Sequence, residues 1–490
     1  MTFLSHRLVI RHGPSPSNRR TRLSNQWRVF AVAAGVVVLG VTAFVLVQKL
    51  RAPHSPPQAV TGTVVIEGAP TGAAVGVDGR PAGLLPGPMA VHSGVHQIGI
   101  SAPGFLSESL RAEVLAGGSI SLQASLWRAQ PATSQLLPPL PGAGLAGADF
   151  LRDGRVALLL TIPPGDERQL WIEGPGSEQR RVGPALARGS AAVSADGARV
   201  AYLAGPDTSL GSGQPPTELW LSAVDGQGAS RRYALPQQNG TTGQLLDVAW
   251  SPDGGHLLLV ARQAAPAGGQ RTVLSWLAAD QGDPQPLVSL PDDVVAGSYS
   301  WSPDGAWVTF LATGSGHTSL CLLGVPNGDF RYLGDVNSGG LSHPLPVSPV
   351  SWAADGSELL YSASASRQAD VGGWLFAAGS ATALYTVRPA TPAPQLVPDG
   401  QGQSPTWLPD GSLLTLARGK AGGPLLLRHL IAGSPPVDGP PLPLTAGPAF
   451  AARWDPSHAQ ALIVVHGDGL DLASSNDQYW LARFRPEAGS

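Results

Sequence analysis

The sequence predicts an all-β protein built mainly as a β-propeller, and three observations lead there. The first is a marker pentapeptide that occurs as Trp250-Ser251-Pro252-Asp253-Gly254 and again as Trp301-Ser302-Pro303-Asp304-Gly305. The second is its recurrence: degenerate copies begin at Phe150, Val193, Trp352, Trp407 and Trp454, so successive starts lie 43 to 57 residues apart. The third is composition, since 62 Gly and 47 Pro in 490 residues indicate many turns rather than long helices. A period of about forty to fifty residues with about four short strands per unit is the pattern of a propeller blade.

Each part of the repeat has a physical role. Trp is large and apolar enough to anchor a strand end between neighbouring sheets, while Pro-Asp-Gly supplies a fixed φ, a side-chain acceptor and a residue free to take positive φ. The marker residues Asp153, Asp196, Trp250, Asp253, Trp301, Asp304, Trp352, Asp355, Trp407, Asp410 and Trp454 are therefore structural. The repeated Asp is a turn cap and not a catalytic series. Apolar runs follow the markers, as in His256 to Ala261 and Trp307 to Ala312. Seven markers give seven blades, with six the alternative. The last unit runs short of chain after Tyr479 to Phe484, and Ser134-Gln135-Leu136-Leu137 are placed to add its missing strand and pair the ends of the ring.

The Trp-Ser-Pro-Asp-Gly units resemble the WD40-like repeats of the propeller in TolB and related bacterial periplasmic proteins, over roughly residues 133 to 490. The resemblance implies a TolB-like β-propeller, assigned to residues 149–490, and protein–protein contacts in the cell envelope.

Charge divides the chain. Residues 1–51 hold eight basic residues and no acidic one, and the remainder carries 23 basic and 34 acidic residues. Residues 28–48 contain no charge after Arg28, and about twenty residues at 1.5 Å rise span a bilayer core. A transmembrane helix is expected there. Arg7, Arg11, Arg19, Arg20, Arg22 and Arg28 precede it and only Lys49 and Arg51 flank it downstream, which places the N-terminus in the cytoplasm and the later domains outside it. A cleaved signal peptide is the competing reading, but its apolar core would be shorter. Residues 1–27 form a basic cytoplasmic tail that sets topology or meets anionic lipid. Nucleic acid is not an expected partner, because the large domain is acidic and lacks an aromatic-interleaved basic patch.

Between anchor and ring, residues 49–60 read as a Pro-containing linker and residues 61–127 as a small domain of four or five strands. Asp78-Gly79 is a hairpin turn signal. The order Pro70, Gly72, Ala73, Val75, Val77, Asp78, Gly79, followed by Gly83, Pro86, Gly94, His96 and Gly104-Phe105, resembles the PEGA domain. That resemblance implies a small β-sandwich outside the cytoplasmic membrane, in proteins attached to the cell surface or to signalling receptors. Residues 128–148 read as a Pro- and Gly-rich linker. Within it Gly142 to Gly147 satisfies a dinucleotide-binding pattern without the βαβ context that pattern needs, so a linker is expected instead.

Catalytic motifs are missing from the sequence: there is no Gly-x-Ser-x-Gly elbow, no phosphate loop and no His-Glu-x-x-His. No catalytic, metal or cofactor-binding residue is assigned, and no cofactor is expected. His92 and His96 lack a third ligand, and the acidic run from Asp468 to Asp477 reads as a loop closing the last blade. Cys321, flanked by leucines, reads as a packed apolar residue. The expected function is that of a single-pass, membrane-anchored extracytoplasmic binding protein whose propeller holds an envelope protein, peptide or glycan. The alternative is a propeller enzyme acting on glycans, which would need carboxyls converging on the inner strands of different blades. Runs such as Leu257 to Ala261 and Leu359 to Ser362, taken as inner strands, read apolar or small. A third reading is a ligand sensor working through a separate transmembrane partner.

Overall fold

The computed structural model describes residues 60–138, 140–163, 167–174, 178–187, 190–205, 215–238, 241–265, 268–337, 350–364, 382–418, 423–444, 447, 449–466 and 477–485. The expected tail and membrane segment, residues 1–27 and 28–48, lie outside them. Among the described residues no helix is long and apolar enough to cross a membrane. The fold is all-β, and nearly every described residue falls in the compact unit Gly62–Ser490.

Two sheets form first. Met89–His92, Thr61–Glu67 and Ser119–Gln123 make one, and Arg80–Leu84, Ala74–Val77, Gly94–Ser101 and Glu108–Val114 make the other. Val64 and Ile66 from the first sheet meet Val75, Ile98, Ile100 and Ala112 from the second in one core, so the module is a sandwich. Asp78 and Gly79, both at positive φ, turn the hairpin between Ala74–Val77 and Arg80–Leu84. His96 pins that turn: its Nδ1 lies 2.8 Å from Asp78 Oδ2 and its Nε2 lies 2.8 Å from the His92 carbonyl. A carbonyl only accepts, so Nε2 donates, and only the imidazolium can also donate to the carboxylate. The hydrogen bond to Asp78 accordingly raises the His96 pKa, while the Gln97 N–H and then His96 lower that of Asp78.

Seven four-stranded antiparallel sheets follow, numbered here as blades. Blade 1 holds Gly144–Phe150, Val156–Ile162, Glu167–Glu173 and Gln179–Ala187; blade 2 holds Ala191–Val193, Arg199–Ala204, Glu218–Ala223 and Ser230–Ala234. Blade 3 holds Gln244–Trp250, His256–Ala264, Gln270–Ala278 and Gln285–Pro291; blade 4 holds Val295–Trp301, Trp307–Gly314, His317–Gly324 and Phe330–Asn337. Blade 5 holds Val350–Trp352, Leu359–Ser364, Thr382–Arg388 and Thr391–Gln401; blade 6 holds Gln403–Trp407, Leu413–Arg418, Leu425–Leu430 and Val437–Pro441. Blade 7 takes Ala449–Asp455, Gln460–His466 and Gln478–Arg483 from the end of the chain and Ala132–Gln135 from before blade 1. The stretch 128–148, expected as a linker, thus supplies the outer strand of blade 7 and much of the first strand of blade 1. Its Gly144 and Gly147 pair with Thr161 and Leu159.

Among the described residues, apolar clusters join neighbouring blades at every junction but that of blades 5 and 6. Leu170 and Ile172 of blade 1 meet Val200 and Tyr202 of blade 2; Leu258 of blade 3 meets Phe310 and Cys321 of blade 4; Leu414 of blade 6 meets Phe450 of blade 7. Leu136, Leu462 and Tyr479 pack on Leu158 and Leu160 and so close the ring onto blade 1. Hydroxyls bridge blades 5 and 6: Ser404 N–H donates to Ser362 Oγ at 3.2 Å, and the Ser351 and Thr406 hydroxyls meet at 3.2 Å. Cys321 is buried, and burial pushes its thiol up to about 12.

The marker is a turn with a latch. Asp253 Oδ1 accepts the Ser251 hydroxyl and the Gly255 N–H at 2.9 Å, and Asp304 repeats this with Ser302 and Ala306. In three copies the Trp indole N–H then reaches the first strand of the preceding blade: Trp250 donates to Ala192 O at 3.0 Å, Trp352 to Ser300 O at 3.3 Å, and Trp454 to Ser404 O, whereas the buried Trp301 indole N–H has no partner among the described residues. In the last copy Ala459 takes the positive φ in the closing turn.

Three outcomes follow. Leu136→Ala removes a closure contact and lowers stability by about 2–5 kcal/mol in denaturant titration. Gly356, at φ +71°, would place a Cβ 3.2 Å from Asp304 Cγ, whereas Gly411 has open space around it; Gly356→Ala therefore lowers Tm more than Gly411→Ala. The His96–Asp78 contribution is full below the free His pKa of about 6.5 and lost as pH rises through the elevated folded value; at the acid side it is present above about pH 4 and lost as pH falls through the depressed Asp78 value. Thermal melts of His96→Gln should approach those of the wild type only outside that window.

Candidate functional site

The first strand of each blade faces the axis. First strands of neighbouring blades pack on one another, while fourth strands expose Phe330, Tyr332, Leu396 and Val437. The inner-strand expectation is corrected here: Leu257 to Ala261 and Leu359 to Ser362 lie in second strands, His256–Ala264 and Leu359–Ser364. The marker turn joins first strand to second, so the axial residues precede each marker. The run after it is packed on both faces and reads apolar for that reason.

The axial positions are polar. Arg453 on the first strand of blade 7 donates to the Asp149 carboxylate on that of blade 1 and to the Tyr299 carbonyl on that of blade 4. Blades 7 and 4 stand three apart in the ring, so this side chain crosses the axis. Toward the marker turns, Arg152 Nη2 of blade 1 donates to the Pro252 carbonyl of blade 3 at 2.7 Å, skipping blade 2. Asp149 Oδ1 also accepts the Phe150 N–H at 2.8 Å.

Asp247, on the first strand of blade 3, is the second axial carboxyl. Its Oδ1 accepts the Ser190 hydroxyl at 2.5 Å and the Val248 N–H at 2.8 Å, and its Oδ2 has no protein partner among the described residues. Its own surface is only half-buried, yet protein surrounds it inside the ring. Desolvation therefore raises its pKa, opposed by those two hydrogen bonds and by the Arg168 charge. The adjacent Tyr299 hydroxyl donates to Ala296 O at 3.1 Å and is pushed well up by burial and then by the Asp247 charge. Register shifts at Leu245/Asp247 and at Gly297/Ser300 interrupt the ladders here, and such bulges re-aim side chains.

The expected marker residues lie at the turns, away from this lining. Asp153, Asp196, Asp253, Asp304, Asp355 and Asp410 each accept the N–H two residues on. Asp410 also accepts Ser109 N–H of the sandwich at 3.0 Å. Nearby, the Ser412 hydroxyl sits between Asp410 Oδ1 at 2.6 Å and His429 Nε2 at 2.8 Å. The carboxylate bonds the hydroxyl instead of orienting the imidazole, and Ser412 is buried, so the trio braces the turn and lacks the arrangement of a nucleophilic triad. Both ring nitrogens of His96 are engaged as described, and among the described residues no group of three or more His, Cys, Asp or Glu could hold a metal ion. The acidic run from Asp468 to Asn476 lies outside the described residues. Asp149, Asp247 and Arg453 were missed in sequence because nothing marks an axial position except its place one strand before a marker.

No family model matches the chain, and no curated protein does. Solved structures similar to it include an oligogalacturonate lyase in complex with manganese, 14% identical over 73% of this chain and 96% of that one with a TM-score of 0.46. TolB from Acinetobacter baumannii is 11% identical over 60% of this chain and 57% of that one, with a TM-score of 0.31. TolB proteins and oligogalacturonate lyase are β-propellers. Likeness at this level says nothing of function, and the propeller reading stands on the sheet order above.

Because the Asp247 pKa is raised, its favourable contribution is present below the free Asp value and lost as pH rises through the folded one. The Tm difference between wild type and Asp247→Asn, whose Oδ1 still accepts both hydrogen bonds, should therefore shift against the wild type in thermal melts as pH rises above about 4.

Proposed function

We propose that the chain is a binding protein anchored in the cytoplasmic membrane by residues 28–48, with its later domains outside the cytoplasm and its ligand, an envelope protein, peptide or glycan, held in the axial channel. The carrying observation is the Arg453 side chain laid across the axis between Asp149 and the Tyr299 carbonyl. A group so placed lies in the path of a ligand entering along the axis and can hydrogen-bond it. Rigid first strands from several blades present those groups, which is the preorganisation binding requires. The sandwich, with its PEGA-like turn pattern, serves as a spacer from the membrane.

One observation favours a second reading, a glycan-acting enzyme. Asp149 and Asp247 lie on first strands of different blades in unlike surroundings, one paired with Arg453 and one with its pKa raised, and such divergence is how a carboxyl pair divides acid and base roles.

The test uses the whole chain, because Leu106 and Trp127 of the sandwich are buried with Phe450 and Phe484 of the ring and truncation would uncover them. Tagged full-length protein is captured from detergent-solubilised envelopes alongside Arg453→Met. The wild type should retain a defined protein or glycan and Arg453→Met should lose it by at least about tenfold, the value of one or two charge-assisted hydrogen bonds. Equal retention would refute the channel as the site; recovery of shortened glycan that Asp247→Asn abolishes would install the enzyme instead. Carbonate extraction should leave the intact chain in the membrane pellet and release a variant lacking residues 28–48.

A further inference from the structure

Ser298 sits on the first strand of blade 4 at φ +56°, a left-handed conformation that Gly adopts freely and Ser rarely does. It lies inside the bulge between Gly297 and Ser300, off the ladder, and its hydroxyl is buried without a partner. Backbone conformation alone would favour Gly there, and an unpaired buried hydroxyl lowers stability further. Ser404 of blade 6 gives the contrast. It too has positive φ, +48°, but its hydroxyl accepts the Ala452 N–H at 2.8 Å and ties two blades together. Nothing in the fold plays that part for Ser298.

We propose that Ser298, with Asp247 on the neighbouring first strand, forms a recognition site in the axial channel for a neutral, polyhydroxylated ligand of the oligosaccharide class. This rests on the channel being the binding site and names what it takes. The chemistry follows from what the lining leaves over. Arg453 is answered by Asp149, and the Arg168 charge acts on Asp247, so the charges beside these two residues are balanced and favour no ionic ligand there; Arg152, toward the marker turns, meets only the Pro252 carbonyl among the described residues. Among the described residues the Ser298 hydroxyl has no partner, and Asp247 Oδ2 accepts no hydrogen bond. A hydroxyl both donates and accepts, and a carboxyl accepts when ionised and donates when protonated; sugar hydroxyls complement each of these states. Tyr299, between the two, is fixed at both its carbonyl and its hydroxyl and cannot swing away.

The test measures binding to the full-length chain in a zwitterionic detergent without a sugar headgroup. The probes are a neutral glucose hexamer, a neutral N-acetylglucosamine hexamer, a galacturonate hexamer and hexalysine, followed by titration calorimetry and thermal shift. At least one neutral hexamer should bind more tightly than both charged probes. Ser298→Gly suits the backbone and deletes only the hydroxyl, so it should hold or raise Tm while weakening that binding about tenfold. Asp247→Asn, which replaces the carboxyl with an amide, should weaken it as well. Preference for hexalysine or galacturonate, absence of neutral-hexamer binding at millimolar concentration, or unchanged affinity in Ser298→Gly would each overturn the proposal. Arg453-dependent capture from envelopes would in those cases leave the channel reading standing, whereas loss of that capture too would remove both.

Discussion

The packing of each blade against the next, pinned at three junctions by a tryptophan latch, is the interaction on which the rest of the molecule depends. A four-stranded sheet of this size cannot bury both its faces alone, and its stability comes from the next blade. Apolar clusters supply the bulk of that energy, but they are tolerant of sliding. The indole N–H of Trp250, Trp352 and Trp454, each aimed at a main-chain carbonyl of the blade before, fixes the register at which one blade meets the next. The Asp-capped turn that follows holds the tryptophan end of the strand in place. The turn glycine Gly356 also abuts the preceding blade's turn: a Cβ on it would meet Asp304, whereas Gly411 has open space. Conformational freedom and lack of a side chain are both required at Gly356.

Closure follows the same logic at the ends of the chain. Gln478–Arg483 would be an exposed edge, and Ala132–Gln135 covers it, with Leu136 N–H donating to Tyr479 O at 2.8 Å. The strand that closes the ring continues directly from the sandwich, whose Trp127 packs at a tilt against Phe484 with ring centroids 4.7 Å apart. Arg128 N–H donates to Phe484 O and Asp410 reaches back to Ser109, so the sandwich is docked on blades 6 and 7. Glu108 lies at this junction, buried, with one oxygen accepting Ser125 N–H at 2.7 Å and its pKa raised first by desolvation.

A rigid ring lets the axis depart from the rules that the rest of the fold obeys. Bulges, a left-handed serine and half-buried carboxyls gather on the first strands, while the second strands behind them are close-packed and regular. Strain of this kind persists only where the surroundings over-determine it. The second strands, packed on both faces against neighbouring blades, provide that constraint.

The sequence by itself determined the all-β class, the repeat and the role of each marker residue. Those depend on local physics: Pro fixes φ, Asp caps the turn, Gly takes positive φ, and Trp precedes them at a strand end. The hairpin at Asp78-Gly79 was legible for the same reason. Tertiary structure decided which strand faces the axis, and so which residues form the candidate site. Asp149, Asp247 and Arg453 are unremarkable in sequence because they are 98 residues or more apart and become neighbours only when seven sheets close into a ring. Ser298 is likewise invisible, since its backbone conformation is imposed by a bulge and by the blades around it. Within the Pro- and Gly-rich stretch 128–148, Ala132–Gln135 became strand because the open edge of blade 7 was there to pair with it, at the place where the sequence put the closing strand, Ser134 to Leu137.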